Sequence, residues 1–271
     1  MNNILDFKRF GNYFAYDIRR AGNNYGISLL VLGLMPVILF IIHLLVWLLR
    51  GAATDTPYSM SGESKIIVFG IVLFVAAVSA GVKIYGSTTD KRSGSDFLML
   101  PASTTEKWLS MVLMVCVVVP VALLVLTLAS DALLNWLFPS IYGDGIVSSI
   151  TGSDWSHLTG SNKDFSVNLP AILFLGWSGC ALTFTLGGLF FKKAKVAKTF
   201  LFLFALGTVL SMLAFVAAKF GLGDSISKFV DDINDPASAV DAFNWMLNIF
   251  NIITIGGLLV LTWLRLRTIK H

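Results

Sequence analysis

Charge is the scarce ingredient of this sequence. Asp, Glu, Lys and Arg make up 13% of its 271 residues, where a soluble globular domain carries roughly 25%. Hydrophobic residues fill 56%, so a soluble fold of this length would leave much apolar material in water. Histidine is scarcer still. His43, His157 and His271 are scattered and have no HExxH or paired-carboxylate companion, which argues against an intramembrane metalloprotease. Cysteine is limited to Cys116 and Cys180, both inside apolar blocks and with no CxxC, where a thiol behaves as a small hydrophobe and is silent about redox compartment. A phosphate-binding loop is also missing. Gly81 to Ser87 (GVKIYGS) has the glycine spacing but not the lysine, and it straddles the end of an apolar block. No catalytic residues, metal site or cofactor are expected.

What is present is a series of apolar blocks near the 20 residues that a ~30 Å hydrocarbon core demands of a helix. The expected fold class is all-α, a polytopic bundle of six transmembrane helices in one domain. The spans are expected at about 27–49, 66–85, 109–137, 169–191, 199–218 and 246–264. The first block begins only near Ile27, after a charged stretch, and is long enough to cross, so it reads as a retained helix and not a cleaved signal. Pro36 marks a kink within it, and Trp47 and Arg50 are interface anchors. In the second block Ala76, Ala77, Ala80 and Gly81 invite close helix packing, while Lys83 snorkels to the surface. The fourth is entered through Asn168 and Pro170, and its small residues Gly176, Cys180, Thr183 and Gly187 share a side. The third is long for one crossing and contains Pro120; its Asp131 either faces the bundle or a watery cavity, as an acid in hydrocarbon must, or is carried by the length of the span to the outer surface, which is the preferred reading.

Ahead of these blocks, residues 1–20 place Ile4, Phe7, Phe10, Phe14 and Ile18 at spacings of three and four, with Lys8, Arg9, Asp17, Arg19 and Arg20 between them. That is the pattern of an amphipathic helix lying in the membrane interface, although a tail packed on the protein fits the same residues.

The basic residues set the topology. Fifteen of the 20 Lys and Arg flank the ends that share a side with the termini, and five (Arg50, Lys65, Lys163, Lys219, Lys228) flank the other. By the positive-inside rule both termini are cytoplasmic. The net charge of +4 is thereby explained by topology, and no nucleic-acid partner is implied, because the cations do not form one patch. The loops on the far side are acidic, which suits repulsion of anions or plain solubility equally well.

One loop stands apart. Between Gly86 and Trp108 a polar stretch gives way to the short apolar run Phe97, Leu98, Met99, Leu100, closed by Pro101. Ser103 and Glu106 then stand in capping-box spacing, so the third helix starts there. An ordinary turn with a cap accounts for these residues. So does a short interfacial element that offers an apolar and charged surface to a partner, since an apolar run among polar residues needs some surface to cover it.

The stretch DKRSGSDFLMLPASTTEKWLSMVLM (Asp90 to Met114), behind an amphipathic helix and two spans, resembles the permease subunits of ABC-2 type exporters, in particular compact six-span bacterial members. The resemblance implies a connecting helix at Ile4 to Arg20 and a coupling segment at Asp90 to Leu100 that docks on a separate cytoplasmic ABC ATPase. It implies Arg92, Phe97, Leu98, Met99, Leu100, Pro101 and Lys107 as partner-contacting residues. It also implies pairing of permeases as a homodimer or heterodimer in the bacterial plasma (inner) membrane. Two rivals remain: a scaffold or signalling subunit that moves no solute, and an ion-coupled carrier, for which the spans, Asp131 apart, supply too few acids.

Overall fold

The computed structural model describes residues 6–49, 62–89, 94, 99–143, 145–148, 169–217 and 236–268. Helices and short connections account for all of them, and no strand forms among the described residues.

The first helix, α1 (Phe7–Gly33), is capped by Asp6, whose carboxylate accepts from the Lys8 amide at 3.0 Å. Its length corrects the sequence reading: instead of an interface helix ending near Arg20 and a separate helix from Ile27, one 27-residue helix runs from Phe7 to Gly33, through the start of the expected first span, whose remainder is a second helix. Gly22 and Gly26 each disfavour helix by about 1 kcal/mol, but packing on the bundle outweighs them. Tyr25 is buried between the two glycines and the core, its hydroxyl 3.0 Å from Ser79 Oγ. The buried stripe of α1 is Tyr13, Asp17, Ala21 and Tyr25, one residue per turn. The phenylalanines lie beside it: Phe7 is exposed, and Phe10 stacks on Phe14 at 5.8 Å. The kink expected at Pro36 is present. Lacking an N–H, Pro36 leaves the Leu32 carbonyl without its helical donor, and α2 (Met35–Leu49) departs at 42° from α1.

The core is built on α3 (Gly62–Tyr85), where Ala76, Ala80 and Ile84 are wholly buried. Its partner is α7 (Leu169–Phe190). The approach is so close that a Cβ on Gly81 would sit 1.9 Å from Thr185 Oγ1. The small-residue side expected on the fourth span is displaced. Thr185 and Gly188 meet α3, whereas Gly187 faces Thr199 on α8 (Lys195–Ala217) and Gly176 has no neighbour within 4 Å. A stripe of small residues reveals that a helix can be approached, not from which side.

The third span starts at its predicted cap as α4 (Thr104–Leu113), passes through a π turn (Met114–Val118), and continues as α5 (Val119–Leu137). Pro120 explains the π turn: it cannot donate to the Cys116 carbonyl, and its ring crowds that oxygen. One wide turn absorbs the misfit without a sharp bend. The Trp177 indole fills the opening by donating to the Val115 carbonyl at 3.0 Å.

After a short helix α6 (Pro139–Tyr142) the chain folds back on α5. Asp131 is therefore not at the surface, as its position in a long span suggested. It is 4% exposed and accepts from Tyr142 Oη at 2.5 Å and the Ile146 amide at 2.8 Å. The last helix, α9 (Pro236–Thr268), begins well before Met246, so Asp241 is helical and not part of a loop.

Among the described residues four helical stretches are long and apolar enough to cross a membrane: Ser64–Thr89, Thr104–Leu137, Lys195–Val216 and Trp245–Thr268. The bent pair α1 and α2 makes a fifth. The helix α7, 22 residues from Leu169 to Phe190, is about 33 Å long at 1.5 Å per residue, comparable to a ~30 Å core. Only 6% of the apolar stretch of α8, and the same share of α9, is buried within the chain. Phe202, Phe204, Leu201 and Met212 on α8, like Phe250 and Ile253 on α9, point outward. Such faces need an apolar surrounding.

Candidate functional site

At the end of the bundle where α1 and α4 begin and α3 finishes, three sets of polar contacts converge on the loop between α3 and α4. The first is the capping box. Ser103 Oγ accepts from the Glu106 amide at 3.3 Å, and Glu106 Oε2 accepts from the Ser103 amide at 2.8 Å, as the spacing of the two residues predicts. Glu106 does more than cap. Its carboxylate is fully buried and takes Arg9 in a fork, Nε to Oε2 at 2.9 Å and Nη2 to Oε1 at 2.8 Å, while Oε1 also accepts the Asp6 amide at 3.0 Å. One side chain joins the first turns of two helices nearly a hundred residues apart in sequence.

The second contact is Asp17, wholly buried on α1. Its Oδ2 accepts from Tyr85 Oη, in the last turn of α3, at 2.5 Å and from Ser110 Oγ, on α4, at 2.6 Å. Asp17 Oδ1 and the Tyr13 hydroxyl, one turn earlier, are buried without a hydrogen-bond partner among the described residues. The third contact gathers the turn Gly86–Thr89. Arg20 Nη2 donates to Ser87 Oγ at 3.1 Å, and Lys195 Nζ, at the start of α8, donates to the Gly86 carbonyl.

Between α1 and the loop lies an open cleft of about 440 Å³, walled by Lys8, Arg9, Asn12, Tyr13 and Tyr16 and floored by Leu100, Pro101 and Ala102. Phe7 and Met99, 81% and 82% exposed, are the most exposed apolar side chains at this end among the described residues. Of the residues singled out in the sequence, Arg92, Phe97 and Leu98 lie outside the described residues. Met99 and Pro101 are exposed, Leu100 is half-buried, and the Ala102 amide closes a turn on the Leu100 carbonyl at 2.8 Å. Lys107 does not flank this surface as an open cation, because α4 turns it inward and it is only 7% exposed. Ser103 and Glu106 stand where expected. Arg9, Tyr13, Asp17, Tyr85 and Ser110 were not singled out. The available signal was the four-residue period from Arg9 through Tyr13, Asp17 and Ala21 to Tyr25, a polar and small stripe that reads as a solvated face until a packed neighbour is known.

A second polar cluster lies at the opposite end. Lys65 is 3% exposed, donates to the Tyr142 carbonyl at 2.6 Å and sits 3.7 Å from the centre of the Tyr142 ring. Burial, and then the hydrogen bond to Asp131, pushes the Tyr142 hydroxyl well above its ordinary value. His43 is exposed on α2. Among the described residues no three His, Cys, Asp or Glu side chains gather as a metal site, and Cys116 and Cys180 are free thiols.

Taken together, the long apolar helices and outward apolar faces define a helical membrane-embedded protein. Comparison with known proteins finds no family model, curated protein or solved structure that matches the chain.

Proposed function

We propose that the chain is the membrane-spanning subunit of an ABC-2 type exporter, with six spans, both termini in the cytoplasm and its ATPase on a separate polypeptide. The single observation that carries this reading is the loop between α3 and α4. It presents Met99 and Pro101 outward next to an open cleft, yet its two ends are tied into the bundle through Tyr85 and Glu106. A surface that must receive force from a soluble partner needs both properties: apolar side chains to be covered by the partner, and rigid attachment to the helices it is to move. The threefold excess of Lys and Arg on the terminal side supports a cytoplasmic location for this end. In this mechanism ATP-driven closure of the ATPase pair displaces the segment from Asp90 to Leu100, and α3 and α4 carry the displacement to a path between two permeases in the bacterial plasma membrane. The chain contributes binding and mechanical coupling, and the chemistry belongs to the partner.

The test is detergent co-purification from the native host with an ABC ATPase, comparing wild type with Leu98→Asp and Met99→Asp. Wild type is expected to retain the ATPase and both variants to lose it. Undiminished capture by the variants overturns the coupling role of the loop. Absence of any ATPase with wild type replaces the exporter reading by that of a scaffold or signalling subunit.

A further inference from the structure

The geometry points to Asp17 as the residue that holds the two ends of the proposed coupling loop in fixed register, so that α1 moves together with the loop. The inference rests on the reading above for its purpose, and on the following contacts for its substance. The loop leaves α3 at Tyr85 and enters the bundle again on α4, and Asp17 Oδ2 accepts from a residue on each side, Tyr85 Oη at 2.5 Å and Ser110 Oγ at 2.6 Å. Both donors converge on one carboxylate oxygen, and all three residues are buried, Tyr85 to 1% and Asp17 and Ser110 to 0% exposure. A buried acceptor stripped of its donor bears the full cost of its desolvation, and all three side chains are shut off from solvent. Separating α3 from α4 at this level therefore strips the carboxylate of a donor.

Two further ties lie on the same helix, one on each side. Arg20, almost a turn further on, holds Ser87, and Arg9, two turns earlier, holds Glu106. Arg9, Asp17 and Arg20 thus fasten the first half of α1 to the start and to the end of the loop. The helix continues unbroken to Gly33, where it meets the 42° bend. At that bend α1 lies against α5 so closely that a Cβ on Gly33 would stand 2.5 Å from Leu126 Cβ. A displacement of the loop is accordingly passed along α1 to the bend, instead of being absorbed by local separation of α3 from α4. Asp17 is a positioning residue in this scheme, because it acts through Tyr85 and Ser110 and need not touch the partner.

The test uses the full-length chain in detergent and amide hydrogen exchange read by mass spectrometry. Asp17→Leu and Asp17→Asn are compared with wild type, with Tyr85→Phe and Ser110→Ala as separate variants. Exchange in segments 86–89 and 99–106 is expected to rise at least tenfold in Asp17→Leu, less in Asp17→Asn, while Val119–Leu137 and Phe174–Phe190 keep their wild-type rates. Adding Tyr85→Phe to Asp17→Leu is expected to give no further increase. Unchanged exchange around the loop overturns the clamp, and so does a uniform rise across α5 and α7, which marks plain destabilisation. With the co-purified ATPase, Asp17→Leu is expected to leave capture within twofold of wild type and to lower ATP turnover at least tenfold. Wild-type turnover overturns the coupling role. The exchange measurement needs no partner, so failure of the exporter reading and failure of the clamp are seen separately.

Discussion

Arg9 and Glu106 form a forked ion pair, 2.8 Å at its shortest, in which the guanidinium is partly open to solvent and the carboxylate is fully buried. The asymmetry explains why the pair belongs to the architecture and not to the surface. A carboxylate withdrawn from water requires several donors, and Glu106 receives Arg9 together with the backbone amides of Asp6 and Ser103. The same side chain thereby caps α4 and anchors α1.

This double role predicts an ordered pair of effects. Glu106→Gln keeps a cap acceptor but loses the charge that Arg9 meets, whereas Glu106→Ala loses both. Thermal unfolding in detergent is expected to rank wild type above Glu106→Gln and Glu106→Ala lowest. Adding Arg9→Ala to Glu106→Ala should change the midpoint little, since residues that share one interaction do not add. Full additivity of the two would contradict the pairing.

Ser103→Ala tests the cap alone. Losing a serine N-cap costs about 1 kcal/mol, and the loss is expected to appear as faster amide exchange in the first turn of α4, with the π turn and α5 unaffected. Ser103→Asp supplies another acceptor and should restore protection. If Ser103→Asp exchanges as fast as Ser103→Ala, the Ser103 hydroxyl is not acting as a cap.

Gly81→Ala measures the closeness of α3 and α7. The added Cβ meets Thr185 Oγ1 at 1.9 Å, Thr185 Cβ at 2.8 Å and Thr185 Cα at 2.9 Å. Overpacking of this kind costs about 1–3 kcal/mol. Thr185→Ala removes the hydroxyl but leaves the two carbons, so only partial rescue of the unfolding midpoint is expected. Complete rescue would mean that the helices are not held at this spacing.

The π turn has its own test in Trp177→Phe. Phenylalanine keeps an aromatic ring but is smaller, so the Val115 carbonyl loses its donor in a buried setting, at a cost of about 1–3 kcal/mol, and the space left by the indole adds to it. Pro120→Ala restores the N–H that a regular α-helix would use. Combined with Trp177→Phe, it is expected to recover part of the lost stability by letting the turn tighten. No recovery would indicate that the π turn does not arise from the proline.

At the opposite end, Tyr142 is held protonated by burial and by Asp131. The sign of the pH effect follows from this. With the folded value raised, the contribution of this group is intact below about pH 10, the ordinary tyrosine value, and is lost as pH rises from there toward the folded value, because only the unfolded chain then releases the proton. The unfolding midpoint of wild type should fall more steeply above pH 10 than that of Tyr142→Phe. Parallel profiles would rule out the buried hydrogen bond.

Legibility in the sequence followed the physical range of each signal. The kink at Pro36 and the capping box of Ser103 and Glu106 are decided by residues one or two turns apart, and both stand where the spacing puts them. Asp17 was misplaced because a lone acid among Lys8, Arg9, Arg19 and Arg20 looks solvated, and only the arrival of Tyr85 and Ser110, some 70 and 90 residues later, makes it interior. The small residues of α7 show the same limit, since the sequence reveals that Gly176 and Gly187 are small but not which neighbour faces each. Asp131 was misjudged because span length places it near one end of a helix, while α6, folding back, covers it.

By itself the sequence determined that this is a chain of apolar helices set in a membrane, because hydrophobic length is a property of consecutive residues. Only the tertiary structure decided that the N-terminal helix runs on to Gly33 and bends there into α2, that the third span carries a π turn, and that α1 is bound to both ends of the exposed loop. These depend on which side chains meet across elements far apart in the chain. No local pattern encodes the partner that makes a buried carboxylate tolerable.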